Sequence, residues 1–411
     1  MPPSSAFRQA PPASLLHHRP FALYWFARMA TTIAFQMQAV AVGWQGYALT
    51  GSAFYLGLIG LAQFLPMFLL NLVVGQVVDR YDRRLVARTC QLVEALAAGT
   101  LALGSASGWL SRGSLLAIVF LVGAARAFEM PTMQALVPSL VPARLIPPAI
   151  AWAASAGQTA TILGPALGGL LYAAGPATVY TTVGLLFLGA SLLLAGISLE
   201  RVPSKREPVS LQSLFAGIAF IRSQPAILGA ISLDLFAVLL GGATALLPIY
   251  ARDILGTGPW GLGLLRSAPA VGALSMSVIL AHRPLQHRVG RIMFGAVTIF
   301  GGATIGFGVS TSFVLSLAAL IVLGAADVIS VVIRNSLVQI NTPDEMRGRV
   351  TAVHSMFIGT SNQLGEFESG VTAALFGTVP AVLLGGVGTI LVVLIWIRLF
   401  PELARIDSLE P

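Results

Sequence analysis

Two apolar runs, Ala53 to Val78 and Leu85 to Ser107, are separated by one short knot of charge, Asp79-Arg80-Tyr-Asp82-Arg83-Arg84. Each run is longer than the roughly 20 residues a helix needs to cross a hydrocarbon core. The loop between them is too short to carry its charges into lipid, so it must lie at a membrane face. The composition extends this to the whole chain. Of 411 residues, 56% are hydrophobic and only 10% charged, with mean hydropathy +0.84, more apolar surface than a soluble domain can bury.

The pattern of apolar runs predicts an all-α polytopic membrane protein with twelve transmembrane helices, near 21–49, 53–78, 85–107, 113–139, 144–174, 177–199, 225–251, 258–282, 289–310, 313–338, 344–375 and 379–400. These form two six-helix halves, 21–199 and 225–400, between a tail at 1–20 and a tail at 401–411. The joining segment, 200–224, begins with the polar stretch Glu200 to Pro208 and ends in an amphipathic surface helix over Ser210–Ser223, stopped before Pro225. With the N-terminus in the cytoplasm, most of the 24 Lys and Arg residues fall on the cytoplasmic side. Arg112 and Arg252 fall outside, and Arg28, Arg126 and Arg266 fall within spans. Both termini are therefore expected to be cytoplasmic. Met1–Pro20 has no apolar core, so no cleavable signal is expected.

Internal similarity supports a duplication. Gln134-Ala-Leu-Val and Pro142 match Asn335-Ser-Leu-Val and Pro343, and at the same offset Leu163-Gly164 matches Leu364-Gly365 and Gly169 matches Gly370. Thr342-Pro343-Asp344-Glu345 predicts a capping box at the start of the eleventh helix. Its positive end would attract an anionic partner such as Asp79.

Several chemistries are excluded. One cysteine, Cys90, rules out an internal disulfide and a thiolate metal centre, and the histidines lack ligand spacing. No cofactor or metal is expected, and no phosphate-binding loop is present to supply nucleotide drive. The net charge of +8 is spread over many short loops, which suits anionic lipid headgroups and not nucleic acid.

Gly75-Gln-Val-Val-Asp79-Arg80-Tyr-Asp82-Arg83-Arg84 resembles the loop signature between helices 2 and 3 of the major facilitator superfamily. The resemblance implies that fold, with Gly75, Asp79, Arg80, Arg83 and Arg84 as a gating motif and with helices 1, 4, 7 and 10 lining a central cavity. Gly164-Pro165-Ala-Leu-Gly168-Gly169 resembles the antiporter motif of the fifth helix, where proline bends the helix and glycines permit close packing. Arg126 and Glu129 resemble the fourth-helix motif of drug/proton antiporters, with Glu129 in place of glutamine and Met130 in place of glycine.

Intramembrane charges are the candidates for proton coupling: Arg126, Glu129, Asp234, Asp327 and Glu366. Asp234 and Asp327 stand about 14 and 21 Å into their spans, and Arg334, two turns beyond Asp327, could pair with it through water. Glu366 takes the repeat position of Pro165, and Glu368 points to another face. Glu94 is a weaker candidate because the third helix is usually peripheral. Arg28, Gln36 and Gln38 in the first helix are candidate cavity residues for a ligand with hydrogen-bonding parts.

The segments Leu49-Thr-Gly-Ser52, Leu65-Pro66 and Gln134-Ala-Leu-Val-Pro138 resemble the enterobactin-exporter-like branch. That branch implies proton-driven export of a siderophore or drug-like small molecule across the bacterial inner membrane, by a monomer working with substrate, protons and membrane lipids. The alternatives are proton-coupled uptake, movement of a lipid-like substrate, or a transporter-shaped receptor or scaffold. In the second half, His287 stands where the loop signature would have aspartate, so the two loops are expected to differ in strength.

Overall fold

The computed structural model describes residues 13–198 and 211–408, and these are almost entirely helical. Twelve long helical segments follow in order: α1 (Arg19–Thr50), α2 (Ala53–Arg80), α3 (Arg83–Ala106), α4 (Arg112–Leu140), α5 (Ile146–Tyr172), α6 (Pro176–Ala195), α7 (Pro225–Ile254), α8 (Gly258–His282), α9 (Val289–Val309), α10 (Phe313–Ile340), α11 (Asp344–Phe376) and α12 (Thr378–Leu399). Leu211–Ser223 is helical; Ser210 and the polar stretch from Glu200 to Pro208 lie outside the described residues.

Local chemistry sets the boundaries. Gly51, at φ 61°, closes α1 in the left-handed conformation that glycine tolerates. The Ser52 hydroxyl accepts from the Tyr55 amide to start α2, Asp82 caps α3 by accepting from the Arg84 amide, and Ser111 with Ser114 forms a capping box on α4.

Two boundaries differ from the sequence reading. The box expected at Thr342 does not form: Pro343 takes the cap position, α11 begins at Asp344, and no side chain caps it. The seventh span is not one helix. It stops at Leu240 and continues as a 3-10 turn over Ala243–Leu246 and a wide turn over Tyr250–Ile254. Gly241 and Gly242 interrupt it where α11 packs closest; a Cβ on Gly242 would fall 2.7 Å from Ser369 Oγ.

Among the described residues, nine helices are long and apolar enough to cross a membrane. The three long helices outside that group are α1, α5 and α11. α1 and α11 carry glutamines and charges, α5 carries Gln158 and many small residues, and all three pack against other helices.

The packing is doubled. In the first half α1 meets α5 and α6, α2 meets α4, and α3 meets α4 and α6; in the second, α7 meets α11 and α12, α8 meets α10, and α9 meets α10 and α12. The halves join through α2 against α11 and α5 against α8, a pair of contacts that exchange under the same six-helix shift.

The core is not uniform along the bundle. At the end away from the Asp79 loop, one continuous apolar cluster runs through both halves, from Met37, Tyr47 and Leu56 to Leu246, Leu265 and Phe307. At the loop-bearing, basic end each half has clusters of its own, the larger ones including Tyr24, Leu136 and Leu194 in the first and Leu233, Val289 and Leu337 in the second. The α8-facing stripe of α5 records the same divergence. Gly169 and Pro165 are buried, Ile162 and Gln158 half-buried, Ser155 and Ala151 exposed.

Candidate transport pathway

The junction between halves is made by backbones in contact. A Cβ on Gly169 would press on Pro259 O and lie 2.9 Å from Gly263 Cα; one on Gly370 would lie 2.6 Å from Gly57 Cα. Ser267 donates to Ile162 O at 2.7 Å, Gln158 to Ala270 O at 3.3 Å, and Arg266 to Ala39 O at 3.5 Å. Tyr47 donates to the Asp253 carboxylate across the closed end. Glu366 lies at this seam, where a Cβ on Gly60 would fall 2.9 Å from its Oε2. Tyr47→Phe removes only that hydroxyl. It should raise maleimide labelling of a cysteine placed at the seam several-fold without lowering the melting temperature.

The antiporter-like motif divides between two jobs. Gly164 and Gly168 abut α1, where added Cβ atoms would fall 2.6 Å from Gln36 Cβ and 2.8 Å from Met37 Cα. Pro165 is buried beside them. Of the motif's glycines, Gly169 is the one packed against the other half.

In the first half, Arg126 reaches Glu129 at 3.5 Å and stacks its guanidinium 3.5 Å from the Phe35 ring centroid. Arg28 donates to Ala153 O at 3.0 Å and to the Tyr24 hydroxyl at 3.2 Å, and Tyr24 donates to Met133 O. These bonds tie α1 to α4 and α5. Gln36 is half-buried against Gly164; Gln38 is buried, with its Oε1 lacking a hydrogen-bond partner.

Glu94 faces inward, toward the candidate pair of α4. It is fully buried, neither carboxyl oxygen has a hydrogen-bond partner, and it lies within electrostatic reach of Glu129 and Arg126. Gln91, one turn before it on the same face, donates to Thr31. That polar i,i+3 pair in an apolar helix was the available signal.

In the second half the ion pairing differs from expectation. Arg334 pairs with Asp234 of α7, and both side chains are buried. Asp327 instead borders, with Asp234 and Ser330, a void of about 10 Å³, close to the space one water needs. A neighbouring helix supplied a nearer carboxylate than the same helix two turns away. His354 of α11 is buried within reach of the Arg334 charge.

The charged loop is stapled to its own half. Arg83 donates to Ala135 O at 3.0 Å, and Arg84 to Ile197 O at 2.6 Å and to Asp82 at 2.8 Å. Arg80 is exposed, and the side chain of Asp79 lies outside the described residues. Gly75 does not serve a close approach here: nothing lies within 4 Å of its would-be Cβ, because the helices have diverged at this end. Hydrogen bonds from Arg84 hold the Asp82 carboxyl below its usual range. A depressed carboxylate stabilises above its unfolded pKa of about 4 and loses that contribution as pH falls through the folded value. Asp82→Ala should therefore lower the melting temperature at pH 7, by loss of a cap worth about 1 kcal/mol, with the gap to wild type closing below pH about 4.

A duplicated helical bundle, fused at one end and parted at the other around buried ion pairs, is the build of a multi-pass membrane transporter. Residues 10–410 match the family described as transmembrane secretion effector, and the chain belongs to that family of the major facilitator superfamily. It is 29% identical over 413 residues to the enterobactin exporter EntS of Citrobacter koseri, covering 96% of this chain and 95% of that protein. It is 23% identical over 275 residues to macrolide efflux protein A of Streptococcus pyogenes, covering 63% and 65%. Among solved structures, a bacterial homologue of the human lysosomal transporter Spinster, in an inward-facing, unoccupied conformation, superposes with TM-score 0.72 at 14% identity, over 97% of this chain and 98% of that one.

Proposed function

We propose that the chain crosses the bacterial inner membrane twelve times, with both termini cytoplasmic, and exports a small amphipathic molecule in exchange for protons by alternating access. The observation that carries this is the division of the core: one shared cluster seals the end away from the charged loop, while at the basic end every cluster belongs to a single half. With basic loops facing the cytoplasm, this is the inward-facing state, and Gly75 and the Asp79 loop approach the second half when the bundle rocks. The halves are 21–199 and 225–400, joined by 200–224.

Arg28, Gln36 and Gln38 contact substrate, and Arg126 with Phe35 favours an aromatic or anionic group. Proton coupling falls to Glu129, Asp234, Asp327 and Glu366, since carboxyls near the middle of a bundle exchange protons as the halves part and close. Export of siderophore- or drug-like cargo is supported by the named activities of the two relatives.

The test uses inside-out vesicles with an imposed acidic lumen, given a catecholate siderophore and a macrolide. Accumulation that collapses with the pH gradient is expected. Gradient-independent movement, or loss of preloaded cargo on acidification, would overturn the proposal.

A further inference from the structure

One groove on the described surface is remote from the pathway. It has a volume of about 510 Å³ and lies between α9 and α12 at the basic end, on the flank away from the first half. Two arginines stand at its mouth, Arg291 in the first turn of α9 and Arg405 at the end of the short helix Pro401–Arg405. Below them the walls are Phe294, Thr298, Val393 and Ile397. Both arginines are exposed, and neither makes an ion pair among the described residues. From Arg291 to Thr298 the helix descends about 10 Å, so cations sit at headgroup level and apolar walls at the level of the first acyl carbons.

The mouth is built, not incidental. Arg405 is positioned because the tail is clamped to the start of α9. The Val289 and Gly290 amides donate to Asp407 O at 3.2 Å and Ile406 O at 3.0 Å, and the Arg288 amide donates to the Asp407 carboxylate at 3.1 Å. Leu403 is fully buried over Gly290. Thus Asp407 brings a carboxylate to the loop whose own aspartate position is held by His287, which lies 3.4 Å from it.

We propose that this groove is a binding site for one anionic glycerophospholipid. Its phosphate is held between Arg291 and Arg405, and an acyl chain lies along Phe294, Val393 and Ile397. Two unpaired guanidiniums above an apolar trough match a phosphodiester above hydrocarbon. A zwitterionic headgroup brings a second cation to the same mouth and is disfavoured. A soluble phosphate lacks the chain that fills the trough.

The test is native mass spectrometry of the full-length protein titrated with dioleoylphosphatidylglycerol, dioleoylphosphatidylcholine or glycerol 3-phosphate. The wild-type protein should retain one phosphatidylglycerol more tightly than either alternative. R291Q/R405Q should weaken that retention by at least tenfold, since each surface arginine is worth about 1 kcal/mol toward anionic lipid. The control R144Q/R222Q removes the same charge elsewhere at this end and should change it less than twofold. Gly295→Trp fills the groove without touching its charges; nothing lies within 4 Å of that Cβ, so the protein should stay folded and lose the tight lipid. Equal retention of phosphatidylcholine, equal loss in both arginine pairs, or full retention by Gly295→Trp would each overturn the site.

Discussion

One methyl group at Gly169 is expected to abolish most coupled efflux while leaving both halves folded. The added Cβ would press on Pro259 O and stand 2.9 Å from Gly263 Cα, and these backbone atoms cannot rotate aside. Overpacking of this kind costs about 1–3 kcal/mol, comparable with the few kcal/mol that separate working conformations. The strain falls on the α5–α8 seam, so it penalises the state in which that end is closed. The population should shift toward opening there by about 5- to 150-fold. Gly164→Ala should act differently, because its Cβ meets Gln36 of α1 within the same half; it should lower stability more than it shifts conformation. Gly189→Ala, with nothing within 4 Å, is the neutral control. The measurement is efflux rate beside seam accessibility, and normal values of both in Gly169→Ala would contradict the packing account.

Asp234→Asn should be the most destabilising conservative change in the second half. It leaves the Arg334 charge, 2% exposed, without its counter-ion, and breaking a buried pair from one side costs about 3–5 kcal/mol. Arg334→Gln strands the aspartate in the same way. The double variant D234N/R334Q removes both charges and should recover most of the lost melting temperature in detergent. It should not recover pH-driven transport if Asp234 takes part in coupling. Single variants that melt like wild type would show that the pair is solvated in the working protein. A double variant with normal pH-driven export would move coupling to Glu129 or Glu366.

The sequence specified helices well because most of them are long apolar runs ended by a charge, a proline or a glycine. It failed where the deciding neighbour lies on another helix. The apolar stretch after Pro225 hides the break at Gly241-Gly242, since periodicity cannot distinguish continuous from interrupted helix when nearly every side is apolar. The spacing of Asp327 and Arg334 on one helix is visible in a sequence, whereas the approach of Asp234 from α7 to Arg334 is not. The usual place of the third helix makes Glu94 a weaker candidate in sequence, and its side chain turns inward beside Arg126 and Glu129. The fifth-helix motif reads in sequence as a set of small residues, but only the fold distributes Gly164 and Gly168 to α1 and Gly169 to α8.

The central claim, that the halves rock about the α5–α8 and α2–α11 seams, is tested most directly by paired cysteine accessibility. Cys90 is the sole cysteine and is buried, so a Cys90→Ser background needs only one substitution. Ser155→Cys reports the exposed, basic end of the α5 stripe and Ala166→Cys its closed end. In inside-out vesicles without a gradient, the account predicts rapid modification at 155 by a membrane-impermeant maleimide and protection at 166 from either face. With substrate and an acidic lumen, modification at 155 should slow, while 166 becomes reactive from the lumenal face. Reactivity at both positions that stays fixed under every condition would contradict alternating access in this protein.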